Sequence, residues 1–285
     1  MDAMFHIYSK GENVLFRNNS DYIYFHNKFA IASARLKLKV LAFTTMSTHF
    51  HTIVEAADAD DIAYFQSKLK KVYGIYYNHK YKYSLGNNFK ISNNTIEDFN
   101  ELKTKALYVL RNPTHHYVSR LPLKYKYCSA YSLFADEITS EFLMQQNNSL
   151  YKIPADLKYR ERRAIFGRDL VPNKCMINTN GMITFDSFVK TKRARALWDG
   201  NVKKFLYDMN SSVTDATASL IDWDTLDLRT SSMSDIDVCQ MIDLYSKSIG
   251  VDSFHYLDNE HKENLVENLK KRMVLPNQIA RCLWL

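Results

Sequence analysis

Two runs rich in β-forming side chains, residues 38–45 and 48–55, are separated by Met46 and Ser47 alone. A gap that short lets the chain turn back beside itself, whereas a parallel neighbour needs a crossover of a dozen or more residues. The sequence is therefore committed to an antiparallel pair here, and its flanks extend the pattern. Phe5-His6-Ile7-Tyr8 reads as a first strand, Gly11-Glu12-Asn13 as a turn and residues 14–16 as a short extended piece. Asn18-Asn19-Ser20-Asp21 offers capping chemistry for a helix over about 21–37, with Ile23, Phe25, Phe29, Ala32 and Leu36 apolar. Asp58, Asp60 and Asp61 suit the positive end of a second helix running to about residue 77. A strand at 88–91 follows. Ser92-Asn93-Asn94-Thr95 then caps a helix over about 96–110, which Pro113 stops. Strand, helix, strand, strand, helix, strand, helix predicts an α+β fold: an antiparallel sheet with flanking helices.

Composition narrows the class. The chain has 285 residues, 46% hydrophobic and 24% charged, enough for one large domain or two modest ones. No apolar run approaches the ~18 residues of a membrane span, and residues 1–8 lack a secretory pattern. Cys128, Cys175, Cys239 and Cys282 have no paired spacing, as expected of reduced thiols. The expected setting is cytoplasmic, with no membrane partner. Net charge is +7, and the first 150 residues carry 18 Lys and Arg against 13 Asp and Glu. That balance suits a polyanionic partner or a plain solvated surface.

The candidate chemistry lies in two segments. His49 and His51 are two apart in a strand, so both imidazoles share a face. They form a half-site for a divalent metal or a hydrogen-bonded structural pair. About sixty residues on, Tyr108 and Asn112 stand four apart, one turn of helix. With that helix docked beside the strand, the Asn112 amide oxygen completes a nitrogen/oxygen site suited to Mg²⁺ or Mn²⁺. The Tyr108 phenol is then a nucleophile toward a polarised phosphodiester. Glu55, on the face of His51 in a regular strand, is an alternative oxygen ligand.

These segments carry a family likeness. Gly11 to Phe16 with Arg17 and Asp21, His49-Phe50-His51, Phe89-Lys90, Tyr108-Val109-Leu110-Arg111-Asn112-Pro113 and Tyr127-Cys128-Ser129-Ala130-Tyr131 fall in the order and spacing of known landmarks. On these residues the region 5–134 resembles the REP-associated tyrosine transposases of the IS200/IS605-like group, which belong to the HUH single-strand nucleases. The family has Met-Pro-Asn where this chain has Met46-Ser47-Thr48, and Trp at the place of Cys128. The resemblance implies a ferredoxin-like sheet. It casts His49 and His51 as metal ligands, Asn112 as the third and Tyr108 as the nucleophile that forms a 5′-phosphotyrosine. It implies hairpin-forming, palindromic single-stranded DNA as substrate. A non-catalytic DNA-binding protein, or a replication initiator or relaxase of the same chemistry, is the alternative.

Lysines and tyrosines interleave from Lys68 to Tyr83, with cations for phosphates and rings for unpaired bases; part of this helix is expected in the core, and its C-terminal end with the following loop on DNA. The expected DNA contacts are Lys68, Lys70, Lys71, Tyr76, Tyr77, Lys80 and Lys82, joined by Arg111, His115 and Arg120 around the tyrosine motif. The expected division is a catalytic domain over 1–135, a linker region over 136–160 and a mainly helical accessory domain over 161–285. Within the last, 176–183 suggests two short strands about Asn180-Gly181, and Pro276 onward resembles the first helix of a helix-turn-helix. The extra C-terminal half favours a monomer over a dimer.

Overall fold

The computed structural model describes residues 2–116, 118–119, 122–138, 152–172, 175–211 and 233–285. Strand β1 (Ala3–Lys10) leads to helix α1 (Asn19–Arg35), strands β2 (Lys39–Thr45) and β3 (Phe50–Ala56), helix α2 (Ala59–Tyr81), strand β4 (Lys90–Ile96) and helix α3 (Phe99–His115). The sheet order is β2-β3-β1-β4, and every pairing is antiparallel. Among the described residues six α-helices follow: α4 (Tyr159–Phe166), α5 (Thr191–Arg195), α6 (Val202–Asn210), α7 (Asp235–Ser248), α8 (Asn259–Lys271) and α9 (Pro276–Leu283). The fold is α+β with a mostly helical C-terminal part.

Cross-strand register fixes which side chains share a face. Tyr8 opposes His51 and His6 opposes Ile53, so these four project to one side. Phe5, Ile7, Phe50, Thr52 and Val54 project to the other. There α1 and α2 pack, with ring centroids 4.9 Å apart for Phe25 and Phe50 and 5.2 Å for Phe29 and Phe65. Helix α3 lies on the His51 side, over β2 and β3. β3 is therefore covered on both faces and wholly buried. β4, at the edge, has one strand partner and is largely exposed.

Two local expectations are corrected. Residues 92–95 do not cap a helix; they pair with β1 inside β4, where an exposed edge tolerates Ser92, Asn93 and Asn94. The cap of α3 is Asp98, whose side chain accepts from the Glu101 N–H. Pro113 does not stop α3. It sits in the last turn, where its missing N–H costs one bond just before the helix ends at His115. Asn18 does cap α1, in a reciprocal box with Asp21. Ile177 and Ile183 bridge across a turn with Gly181 at φ +79°.

Gly11 has a packing reason. A Cβ there would stand 2.2 Å from the Thr48 carbonyl oxygen, so only glycine lets the first loop pass the turn before β3. The same loop is held by Leu15 and Phe16 N–H groups, both donating to the Ser47 carbonyl at 2.9 Å. Helices α7, α8 and α9 close a second apolar cluster, Val238, Ile242, Leu265, Leu269 and Ile279 among it, which Val14 joins from that loop. Among the described residues no helix is long and apolar enough to cross a membrane.

Candidate metal and nucleophile site on the central strand

β3 and α3 bring the two sequence segments together. His49 stands one residue before β3 and His51 one residue inside it, their ring centroids 5.0 Å apart. Tyr108 and Asn112 lie on the face of α3 turned to that strand, one turn apart. His49 Nε2 is 3.1 Å from Asn112 Oδ1, and the Tyr108 ring stands edge-on to His51 with centroids 5.2 Å apart. An amide oxygen only accepts, so His49 Nε2–H is the donor, and His49 Nδ1 then accepts from the Thr48 hydroxyl at 2.7 Å. Tyr108 is 7% exposed, its ring closed in by His6, His51 and His115.

Electrostatics keep these imidazoles neutral, the form that ligates metals. Burial pushes His6 down to about 4, with the Lys105 ammonium adding to it. Burial, then the neighbouring His116, pushes His49 down to about 3, against the opposing hydrogen bond of Asn112. His51 falls well below the ordinary histidine range through burial and the surrounding imidazoles.

The residues fit a hard divalent cation. Two imidazole nitrogens and one amide oxygen form a mixed donor set. The 3.1 Å between His49 Nε2 and Asn112 Oδ1 matches adjacent octahedral ligands, which at bond lengths of about 2.1 Å stand roughly 3.0 Å apart. Asn112 is fully buried, and its Nδ2 has no hydrogen-bond partner among the described residues. Both ring nitrogens of buried His115 are unpartnered in the same way. Such atoms carry a desolvation cost that a bound ligand would relieve. Among the described residues no three His, Cys, Asp or Glu side chains converge as a metal cluster.

Glu55 is corrected as an alternative ligand. It is four residues from His51, about 13 Å along a strand, and its oxygens are taken by Lys39 at 2.6 Å and by Arg193.

The expected DNA contacts divide. Lys70, Lys71 and Lys82 are exposed on or just beyond α2, and Lys68 is half-buried. Lys70 and Lys71 line a groove of about 440 Å³ with Ser67, Asn78 and Ser84. α2 packs on the sheet face opposite His51, so these lysines are not beside the candidate site. Tyr77 is corrected: its ring is fully buried, its hydroxyl 3.3 Å from His255 Nε2, and no face is left for a base. Tyr76 stacks on Tyr24 at 3.9 Å and donates to Asp21, and Lys80 pairs with Asp21 at 2.6 Å. That network ties the end of α2 to the start of α1. Arg111 is corrected as well. It is buried, with Nη2 donating to the Ser211 carbonyl at 2.6 Å, beyond the C-terminal end of α6 where a cation is favoured. His115 packs against Tyr108 inside the site. Arg120 lies outside the described residues.

Three further side chains adjoin the site, one of which, His116, flanks the tyrosine motif in the sequence. His6 Nε2 is 3.1 Å from His51 Nδ1, Thr48 holds His49, and His116 lies 4.8 Å from His49 between ring centroids. Thr48 is adjacent in sequence and could have been read; His6 needed the β1–β3 register.

No family model matches this chain, and no curated protein does. Among solved structures, one of a REP-associated tyrosine transposase bound to a REP hairpin is similar. The likeness covers 49% of this chain and 82% of that one, with a TM-score of 0.40 and 12% identity.

Proposed function

We propose that this protein is a metal-dependent tyrosine nuclease and strand transferase acting on single-stranded DNA that folds into hairpins. The observation that carries the reading is the convergence of Tyr108 and Asn112 from α3 on His49 and His51 from the central strand. The sequence motifs at those positions, with their likeness to REP-associated tyrosine transposases, support the same reading. His49, His51 and Asn112 would hold Mg²⁺ or Mn²⁺, which supplies Lewis-acid polarisation of a phosphodiester.

Tyr108 Oη then bonds to phosphorus and the P–O3′ bond breaks. The phenol loses its proton, and the departing oxygen leaves as a 3′-hydroxyl with one proton gained. The 5′-phosphotyrosine keeps the ester linkage, so another 3′-hydroxyl can reverse the step and join a different end. Residues 1–135 would carry this chemistry, 136–160 would form a linker region, and 161–285 would act as an accessory part. Lys68, Lys70, Lys71 and Lys82 would meet DNA phosphates remote from the cut. The chain would act as a monomer.

One observation favours a second reading, a non-catalytic DNA-binding protein. Tyr108 is buried, and a phosphodiester must reach its hydroxyl. Incubating the full chain with labelled hairpin DNA and Mn²⁺, then separating it under denaturing conditions, decides between the two. The nuclease reading expects a covalent adduct that Tyr108→Phe abolishes while hairpin affinity stays unchanged. Hairpin binding without any adduct supports the second reading.

A further inference from the structure

Each candidate histidine ligand has a hydrogen-bonding neighbour at its Nδ1. His49 Nδ1 is engaged by the Thr48 hydroxyl at 2.7 Å, and His51 Nδ1 is 3.1 Å from His6 Nε2. With Nδ1 engaged, Nε2 is the nitrogen that would ligate; His49 Nε2 first passes the proton it gives to Asn112 Oδ1 over to Nδ1, where the Thr48 hydroxyl oxygen can accept it. His6 reaches His51 diagonally across the β1–β3 pair: His6 opposes Ile53, two residues beyond His51 on the same face. The two rings lie nearly parallel, 20° between planes with centroids 5.2 Å apart, and His6 is 6% exposed. Histidines that ligate metals almost always donate their second N–H to a fixed acceptor, which sets tautomer and ring orientation.

We propose that His6 is a positioning residue for His51: its Nε2 accepts the His51 Nδ1–H and so keeps the His51 Nε2 lone pair open to a divalent cation. His6 does not touch the cation or the substrate; it acts through His51. The direction of this bond is decisive. With His6 Nε2–H donating instead, His51 would carry its proton on Nε2 and be closed to a metal. The inference rests on the metal-site reading above and adds to it a residue outside the histidine and tyrosine motifs.

The test uses the full chain with Mn²⁺ alone as probe, free Mn²⁺ being counted by electron paramagnetic resonance, and with ¹⁵N-histidine spectra of the metal-free protein. Wild-type His51 should show a protonated Nδ1 and a bare Nε2. His6→Ala should weaken Mn²⁺ binding about 10–100-fold, the usual cost of losing such a partner. His6→Asn, whose amide oxygen can accept the same proton, should recover most of that loss and give a defined His51 tautomer. A protonated His51 Nε2 in the wild type overturns the inference. So does an Ala variant that binds Mn²⁺ as the wild type does, or an Asn variant no better than Ala. If His49→Ala loses Mn²⁺ while His6→Ala keeps it, only the role of His6 falls. If the wild type itself binds no Mn²⁺, the metal-site reading falls and takes this inference with it. Should the Ala variant not fold, the wild-type spectrum and the Asn variant still decide.

Discussion

His49 Nε2 and Asn112 Oδ1 stand 3.1 Å apart, joining the entry of the central strand to the last turns of α3 across 63 residues of sequence. That link puts a helix-borne amide and phenol over a strand-borne imidazole pair, and the proposed chemistry follows from it.

Asn112→Ala removes one of three proposed ligands and should weaken Mn²⁺ binding at least as much as loss of a supporting partner, about 10–100-fold. Asn112→Asp puts a charged oxygen in the same place and should bind Mn²⁺ more tightly than the wild type. Titration calorimetry of the three proteins checks the order.

Acid should destabilise the fold through its buried histidines. Burial holds His6, His26 and His115 down to about 4, and His49 to about 3. In the unfolded chain each titrates near 6.5, so between about pH 6.5 and about pH 4 the unfolded state binds more protons. Stability should therefore fall as pH is lowered through that window and stay level above it. Urea unfolding followed by circular dichroism across the window measures the slope. Bound Mn²⁺ should steepen it, since protons compete for the same nitrogens.

Gly11→Ala places a methyl group 2.2 Å from the Thr48 carbonyl, on the turn whose hydroxyl holds His49. The turn must give way, at a cost of about 2 kcal/mol, the range of an overpacked site. Both the thermal midpoint and Mn²⁺ affinity should drop. A loss of stability alone would mean that the turn does not position His49.

Arg17 joins the first loop to the C-terminal helices. Its Nη1 donates to the Cys282 carbonyl at 2.7 Å, its Nη2 to Asp243 at 2.8 Å, and its guanidinium lies 3.6 Å from the Phe254 ring centroid. Arg17→Met should cost about 3 kcal/mol, the low end for a broken buried pair because Asp243 is 27% exposed. Urea denaturation gives the difference. Limited proteolysis should show 233–285 becoming the first region cut.

The α+β fold was legible because β2 and β3 leave no room for a crossover and because Asn18 and the aspartates from 58 to 61 announce their helices. Residues 92–95 misled, since Ser, Asn and Thr suit a helix cap and an exposed edge strand alike. The spacings of His49 with His51, and of Tyr108 with Asn112, were enough to predict two faces; that the faces meet depended on α3 choosing one side of the sheet. The lysine and tyrosine stretch of α2 was legible as part core and part surface, but not which tyrosine takes which side. A helix has two sides, and Tyr73 and Tyr77 went to the core while Lys70 and Lys71 went to solvent. His6 could not be read from β1 alone, because its partner is set by pairing register.

The most direct measurement is mass spectrometry of the protein digested after incubation with hairpin DNA and Mn²⁺. The expected result is a nucleotide attached through phosphate to the peptide containing Tyr108, absent when metal is withheld and absent in Tyr108→Phe. An unmodified Tyr108 peptide alongside cleaved DNA, or an adduct on any other tyrosine, would contradict it.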